Sequence, residues 1–149
     1  MFKRILVPLD GSPLSEAILP QVAELTRALG AEVTLLRVGL AHAFPGLDPM
    51  FLLGEEVRVV KEAQTYLATV AERLAQEGLI VRTAVRYGQA AAEIIDHVAF
   101  EGTDLVAMST HGRSGLTRLV MGSVAEEVVR RVRVPVLLLR AQEDHPKQR

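Results

Sequence analysis

The 149-residue chain is 49% hydrophobic but only 4% aromatic, carries a formal charge of −1 and contains no cysteine. That length supports one core and not two, while the near-neutral charge offers no field for a polyanion: Arg130, Arg131 and Arg133, with Lys147 and Arg149, are too sparse for a nucleic-acid patch. Without thiols there is neither a disulfide framework nor a thiolate metal site, which suits a reducing compartment.

The opening MFKRILVPLDG places a charge pair before a short apolar run that ends in an acid, so it reads as neither a signal peptide nor a spanning helix. No membrane association is expected, and a cytoplasmic location is. Within that run, residues 4–10 form the nearly continuous apolar stretch of a strand buried on both faces. Ser12 can cap the next helix and Pro13 suits its first position, where no N–H is needed. The helix should run to Gly30, with a kink at Pro20. Residues 31–39 read as the second strand, and 40–50, with two prolines and a glycine, as a loop. From 51 to 77, Val57, Val60, Ala63, Leu67, Val70 and Leu74 recur at three- and four-residue spacing, which predicts a long amphipathic helix. A third strand at 79–87 alternates enough to suggest a place near a sheet edge. A helix at 90–102, a strand at 104–109, a helix at 123–132 and a strand at 134–140 complete the pattern, with a polar tail over 142–149.

Five strands alternating with helices predict a single α/β domain, residues 1–141, with a doubly wound parallel sheet and helices on both faces. Ligands in such sheets bind beyond the carboxyl ends of the strands, where the winding reverses. If the first and fourth strands are neighbours, DGSP after one and STHGRSG after the other meet at that crevice.

The second of these loops has phosphate-binding chemistry. Gly112 and Gly115 permit positive φ and close backbone approach, and Gly122 and Ser123 stand at a helix N-terminus, where free N–H groups and the helix dipole favour an anion. Plain turn glycines are the alternative reading. No two glycines are separated by a single residue, which excludes G-x-G-x-x-G, and the missing lysine excludes a Walker loop. His111 can touch a phosphate or cap the loop; Arg113 can clamp a phosphate or simply be solvated. Asp10 ends a buried strand at the crevice and is either a ligand contact or a turn-forming residue before Gly11. Glu93 and His97, spaced i, i+4, read as a surface ion pair and not a metal site, for want of a third ligand. The segment around Ser114 lacks the second glycine of a G-x-S-x-G elbow, and His42 and His145 lie in irregular segments.

From ILVPLDGS to VPVLLLR the chain resembles the universal stress protein (UspA-like) family, whose ATP-binding members carry G-x2-G-x9-G-[ST]. The match falls at Gly112, Gly122 and Ser123, and departs at Ser109, where the motif has glycine. The resemblance implies strand order 3-2-1-4-5. It also implies that Pro8 and Val38 line an adenine, Met108 and Ser109 lie by the ribose, and Asp10 contacts the ribose or phosphate side. Gly112, Gly115, Gly122, Ser123 and Val124 would hold the phosphates, with Arg113 beside them. The expected ligand is ATP, ADP or AMP with Mg2+ on its phosphates and Asp10 within reach of the metal through water. The expected role is a nucleotide-dependent stress-response or regulatory module and not an enzyme, since no general base or second metal carboxylate stands near the motif. A nucleotide-free dimeric adaptor, which Ser109 makes conceivable, and a slow ATPase are the alternatives. An apolar strand at 134–140 lying at the sheet edge would pair two copies as a homodimer.

Overall fold

The fold is that of a computed structural model whose description covers residues 1–40, 45–112 and 121–142, with backbone only at 111, 112 and 142. Arg113, Ser114, Gly115, His42 and His145 lie outside the described residues, as do the side chain of His111 and the tail beyond Gln142.

Ten elements alternate along the chain: β1 (Arg4–Pro8), α1 (Pro13–Glu16), α2 (Leu19–Leu29), β2 (Glu32–Leu40), α3 (Pro49–Gln76), β3 (Val81–Gly88), α4 (Ala90–Phe100), β4 (Leu105–Gly112), α5 (Ser123–Arg131) and β5 (Val136–Gln142). The strands form one parallel sheet in the order β3-β2-β1-β4-β5, as expected, with β3 at one edge and β5 at the other.

Each face of the sheet has its own core, because successive strand residues point to opposite sides. Ile5, Val7, Val33 and Leu35 pack on Ile18, Leu19 and Val22 around α2 and on Leu67, Val70 and Leu74 of α3. Leu6, Leu36, Val106 and Met108 pack on Ile94 and Val98 of α4 and on Ala125 and Val128 of α5. The apolar run of β1 is thus continuous because it serves both cores.

Prolines set several boundaries. The expected kinked helix after β1 is two helices: Pro20 has no N–H to offer the Glu16 carbonyl, and regular hydrogen bonding lapses at Ala17 and Ile18 before α2 begins. Pro49, read in the sequence as part of a loop, opens α3, with the Asp48 side chain accepting from Met50 N at 2.9 Å. Strand β5 starts after Pro135 and not at 134, and β4 runs on through Ser109 to Gly112. Gly30 ends α2 in the left-handed conformation (φ 63°), the stop that the sequence suggested.

The expected surface pair of Glu93 with His97 does not form. Glu93 pairs instead with Arg86 of β3 at 2.8 Å, and His97 is buried. Burial, reinforced by the Arg86 charge, holds the His97 ring below its ordinary pKa despite Glu101.

Leu67 is fully buried where α3 meets the sheet. Leu67→Ala is therefore expected to cost about 2–5 kcal/mol, read as a lower urea midpoint with an unchanged m-value.

Candidate functional site

The sheet is closed at its N-terminal end and open at the other. At the closed end the Asp104 carboxylate accepts from the backbone N–H groups of Lys3 and Arg4 at 2.9 and 3.0 Å, and Asp104 N donates to Arg4 O. Pairing of β1 with β4 stops at Leu6↔Val106, whereas pairing with β2 continues to Pro8↔Leu36. In a parallel strand alternate residues serve opposite neighbours. Arg4 bonds toward β4 and Leu9 toward β2, so residue 8 faces β4, and Pro8 has no N–H to donate there.

Above this break lies a cleft of about 390 Å³, within the usual range for small-molecule sites. It brings together Pro8, Asp10, Val38, Met108, Ser109, Gly122, Ser123 and Val124 of the residues singled out in the sequence. Gly112 ends β4, in register with Gln142 of β5. The sequence pattern did not single out Leu36, Arg37, Ile94 or Ser15, which also line the walls. Leu36, Val38, Ile94 and Met108 make an apolar slot at one side. Polar groups gather at the other.

Asp10 is both a turn former and a rim carboxylate. Its Oδ1 accepts from Ser12 N at 2.8 Å and from Ser12 Oγ at 2.5 Å, while Asp10 N donates to Ser15 Oγ at 3.3 Å. Burial would raise its pKa, but the Ser12 hydroxyl and backbone bonds, helped by Ser15 and the Arg37 charge, hold the carboxyl below its usual value. Ser12 also caps α1, accepting from Ser15 N. Across the cleft, Ser109 sits in β4 with no positive φ, so its Cβ costs the backbone nothing. Its hydroxyl donates to Ser15 O at 3.4 Å.

Gly122 forms the N-cap of α5 and has no side chain with which to cap it, leaving the first-turn N–H groups of Ser123, Val124 and Ala125 beside the cleft. Its φ of −59° is open to any residue, and among the described residues a Cβ there would meet no atom within 4 Å. Among the described residues, then, neither the backbone angle nor a packed neighbour requires a glycine at 122. Gly11 is the opposite case. Its φ is +85°, and a Cβ would collide with Nη1 of Arg37. Arg37 lies over the Tyr66 ring, 5.2 Å from its centroid. Its Nη1 is the one buried side-chain polar atom among the described residues without a hydrogen-bond partner. A charge interrupting the apolar run TLLRVGL was the available signal.

Comparison with known proteins places the fold. The universal stress protein family model matches residues 1–140. Universal stress protein YxiE of Bacillus subtilis is 31% identical over 94% of this chain and 100% of its own. The structure of MJ0577 of Methanocaldococcus jannaschii, 27% identical over 97% of this chain and 99% of its own, superposes with a TM-score of 0.83. The universal stress protein from Archaeoglobus fulgidus in complex with dAMP shares the fold, with a TM-score of 0.68 at 19% identity over 93% of this chain and 98% of its own.

The two glycines should respond oppositely to a side chain. Gly11→Ala forces a left-handed alanine and displaces Arg37, a loss of about 1–2 kcal/mol or more. Gly122→Ser, which provides a better cap, should leave stability within about 0.5 kcal/mol. Thermal unfolding of both variants checks the contrast.

Proposed function

The chain belongs to the universal stress protein family, and from that premise we propose that it binds an adenine nucleotide, ATP foremost, and serves as a nucleotide-dependent stress-response or regulatory module. The observation that carries this reading is Gly122. Among the described residues it is a glycine required by neither backbone nor packing, at a helix N-terminus with no side-chain cap, facing an apolar slot across the point where the sheet parts. Helix N-termini with close backbone approach suit phosphate, and an apolar slot suits a base. The fold relative from Archaeoglobus fulgidus is complexed with a ligand of this class.

In this reading the adenine enters between Pro8, Leu36, Val38 and Met108, the ribose lies by Asp10 and Ser109, and the phosphates meet Gly122, Ser123 and Val124. Gly112, Arg113 and Gly115 belong to the loop leading to that helix. Magnesium accompanies the phosphates. Asp10 is the rim carboxylate that would reach it through water. The protein holds the nucleotide and does not consume it, because ground-state binding gives no acceleration unless the transition state is bound more tightly. Ser109 in an extended strand supports binding over the nucleotide-free adaptor, since it costs the backbone nothing. Among the described residues no helix is long and apolar enough to cross a membrane, and we place the protein in the cytoplasm.

Two copies would pair through β5. Its Leu137 is exposed, and Val136, Leu138 and Leu139 are only half-buried, on a strand with one unpaired edge. Sedimentation should show a dimer at micromolar concentration; a monomer alone refutes the pairing.

Calorimetric titration with ATP and magnesium tests the nucleotide reading. Gly122→Val should abolish binding with the circular dichroism spectrum unchanged, and Ser109→Gly should alter affinity by less than about tenfold. Phosphate release should be very slow. Absence of binding by the native protein, with binding by Ser109→Gly, would favour the adaptor.

A further inference from the structure

Arg37 is placed at a cost. Among the described residues its buried Nη1 has no partner, and leaving such a donor unpaired is expensive where an apolar side chain of the same size would not be. The side chain does have a defined seat. It stacks on Tyr66 of α3, and Gly11, at φ +85°, lies so close to Nη1 that a Cβ there would displace the guanidinium. Tyr66 is fixed in turn, its hydroxyl donating to Glu16 Oε2 at 2.9 Å, and Arg73 donates to Glu16 Oε1 at 2.6 Å. A chain of contacts therefore runs from α3 through Arg37 to the underside of the turn that presents Asp10.

We propose that Arg37 is a positioning residue for the ligand site: its guanidinium supports the Asp10–Ser12 turn from below and provides the positive field in which the Asp10 carboxylate meets the ligand. The proposal rests on the nucleotide reading for what Asp10 meets, though not for the effect of Arg37 on Asp10 itself. Among the described residues the groups facing Asp10 are Ser12 and Ser15 from the turn and α1, Arg37 from β2 and Tyr66 from α3, with Glu16 and Arg73 behind Tyr66. Tyr66 is pushed up to about 12, by burial first and then by Glu16, so it stays neutral while Asp10 titrates. The Arg37 charge is one of the influences that hold the Asp10 carboxyl down. Removing it leaves burial less opposed, and the carboxyl moves up.

The variants are Arg37→Met, which keeps bulk and loses charge, Arg37→Gln in case the first folds poorly, and Arg37→Lys as the charge-retaining rescue. Residue-resolved carboxyl NMR should show Asp10 titrating at higher pH in the Met or Gln variant and returning toward the native value in the Lys variant. The thermal midpoint should hold or rise, because an unpaired buried donor is gone. ATP–magnesium affinity should fall about tenfold, and the same change made in an Asp10→Asn background should cost no more than Asp10→Asn alone. An unchanged Asp10 titration overturns the proposal, as does a full affinity loss persisting in the Asp10→Asn background, which would make Arg37 a direct ligand contact. If the native protein binds no nucleotide the function assigned above fails, while the NMR titration still decides the role of Arg37.

Discussion

Pro8 has no N–H, and on that missing donor the arrangement of the site depends. The edge of β1 facing β2 remains paired to the end of the strand, while the edge facing β4 loses its ladder two residues earlier. Asp104 holds the same two strands together at their other end. The sheet therefore parts on one side, at one end, at the strand where the winding reverses direction. The cleft follows from that local failure of pairing and needs no separate cavity in either core.

Around the break the two faces of the sheet contribute differently. The α4–α5 face supplies Leu36, Val38, Ile94 and Met108, a dry wall continuous with its core. The other face supplies Asp10, Ser15 and Arg37, tied to α1 and α3 through hydrogen bonds and a ring contact. A ligand seated here would touch an apolar surface and a polar one at once, and such a site favours molecules with a flat apolar part and a charged part. Gly11 and Gly122 stand on these two sides in unlike settings, one with the Arg37 guanidinium against its backbone and the other with no atom of the described residues near the place of a Cβ.

Much of this was legible in the chain, because strands serving two cores show as unbroken apolar runs and helices serving one show as stripes. Asp10, Gly122 and Ser123 were found since they sit where a run stops and a turn begins. Prolines were legible as punctuation but not in sense. Pro20 and Pro49 begin helices, Pro135 precedes a strand and Pro8 closes one edge of a ladder, and which of these applies depends on which neighbour would have received the missing N–H. Spacing along α4 suggested a Glu93–His97 pair, but Arg86 lies 2.8 Å from Glu93 on a neighbouring strand and His97 is turned into the protein. Arg37 was missed for the same reason: its environment is assembled from Gly11 and Tyr66, both far from it in sequence.

The interruption between α1 and α2 has a mechanical meaning. Ile18, Leu19 and Val22 anchor the second helix in the core, whereas α1 has no buried residue and is held to the rim by Ser12, to β4 by the Ser109–Ser15 bond and to α3 by Glu16. A continuous helix would act as a lever, passing any tilt of its first turn into the packing of the rest. With no hydrogen bond from residue 20 to residue 16, the helical ladder does not carry a tilt of the first turn into the anchored segment. The rim and the core beneath it are thus mechanically separate elements, divided at residues 17 and 18.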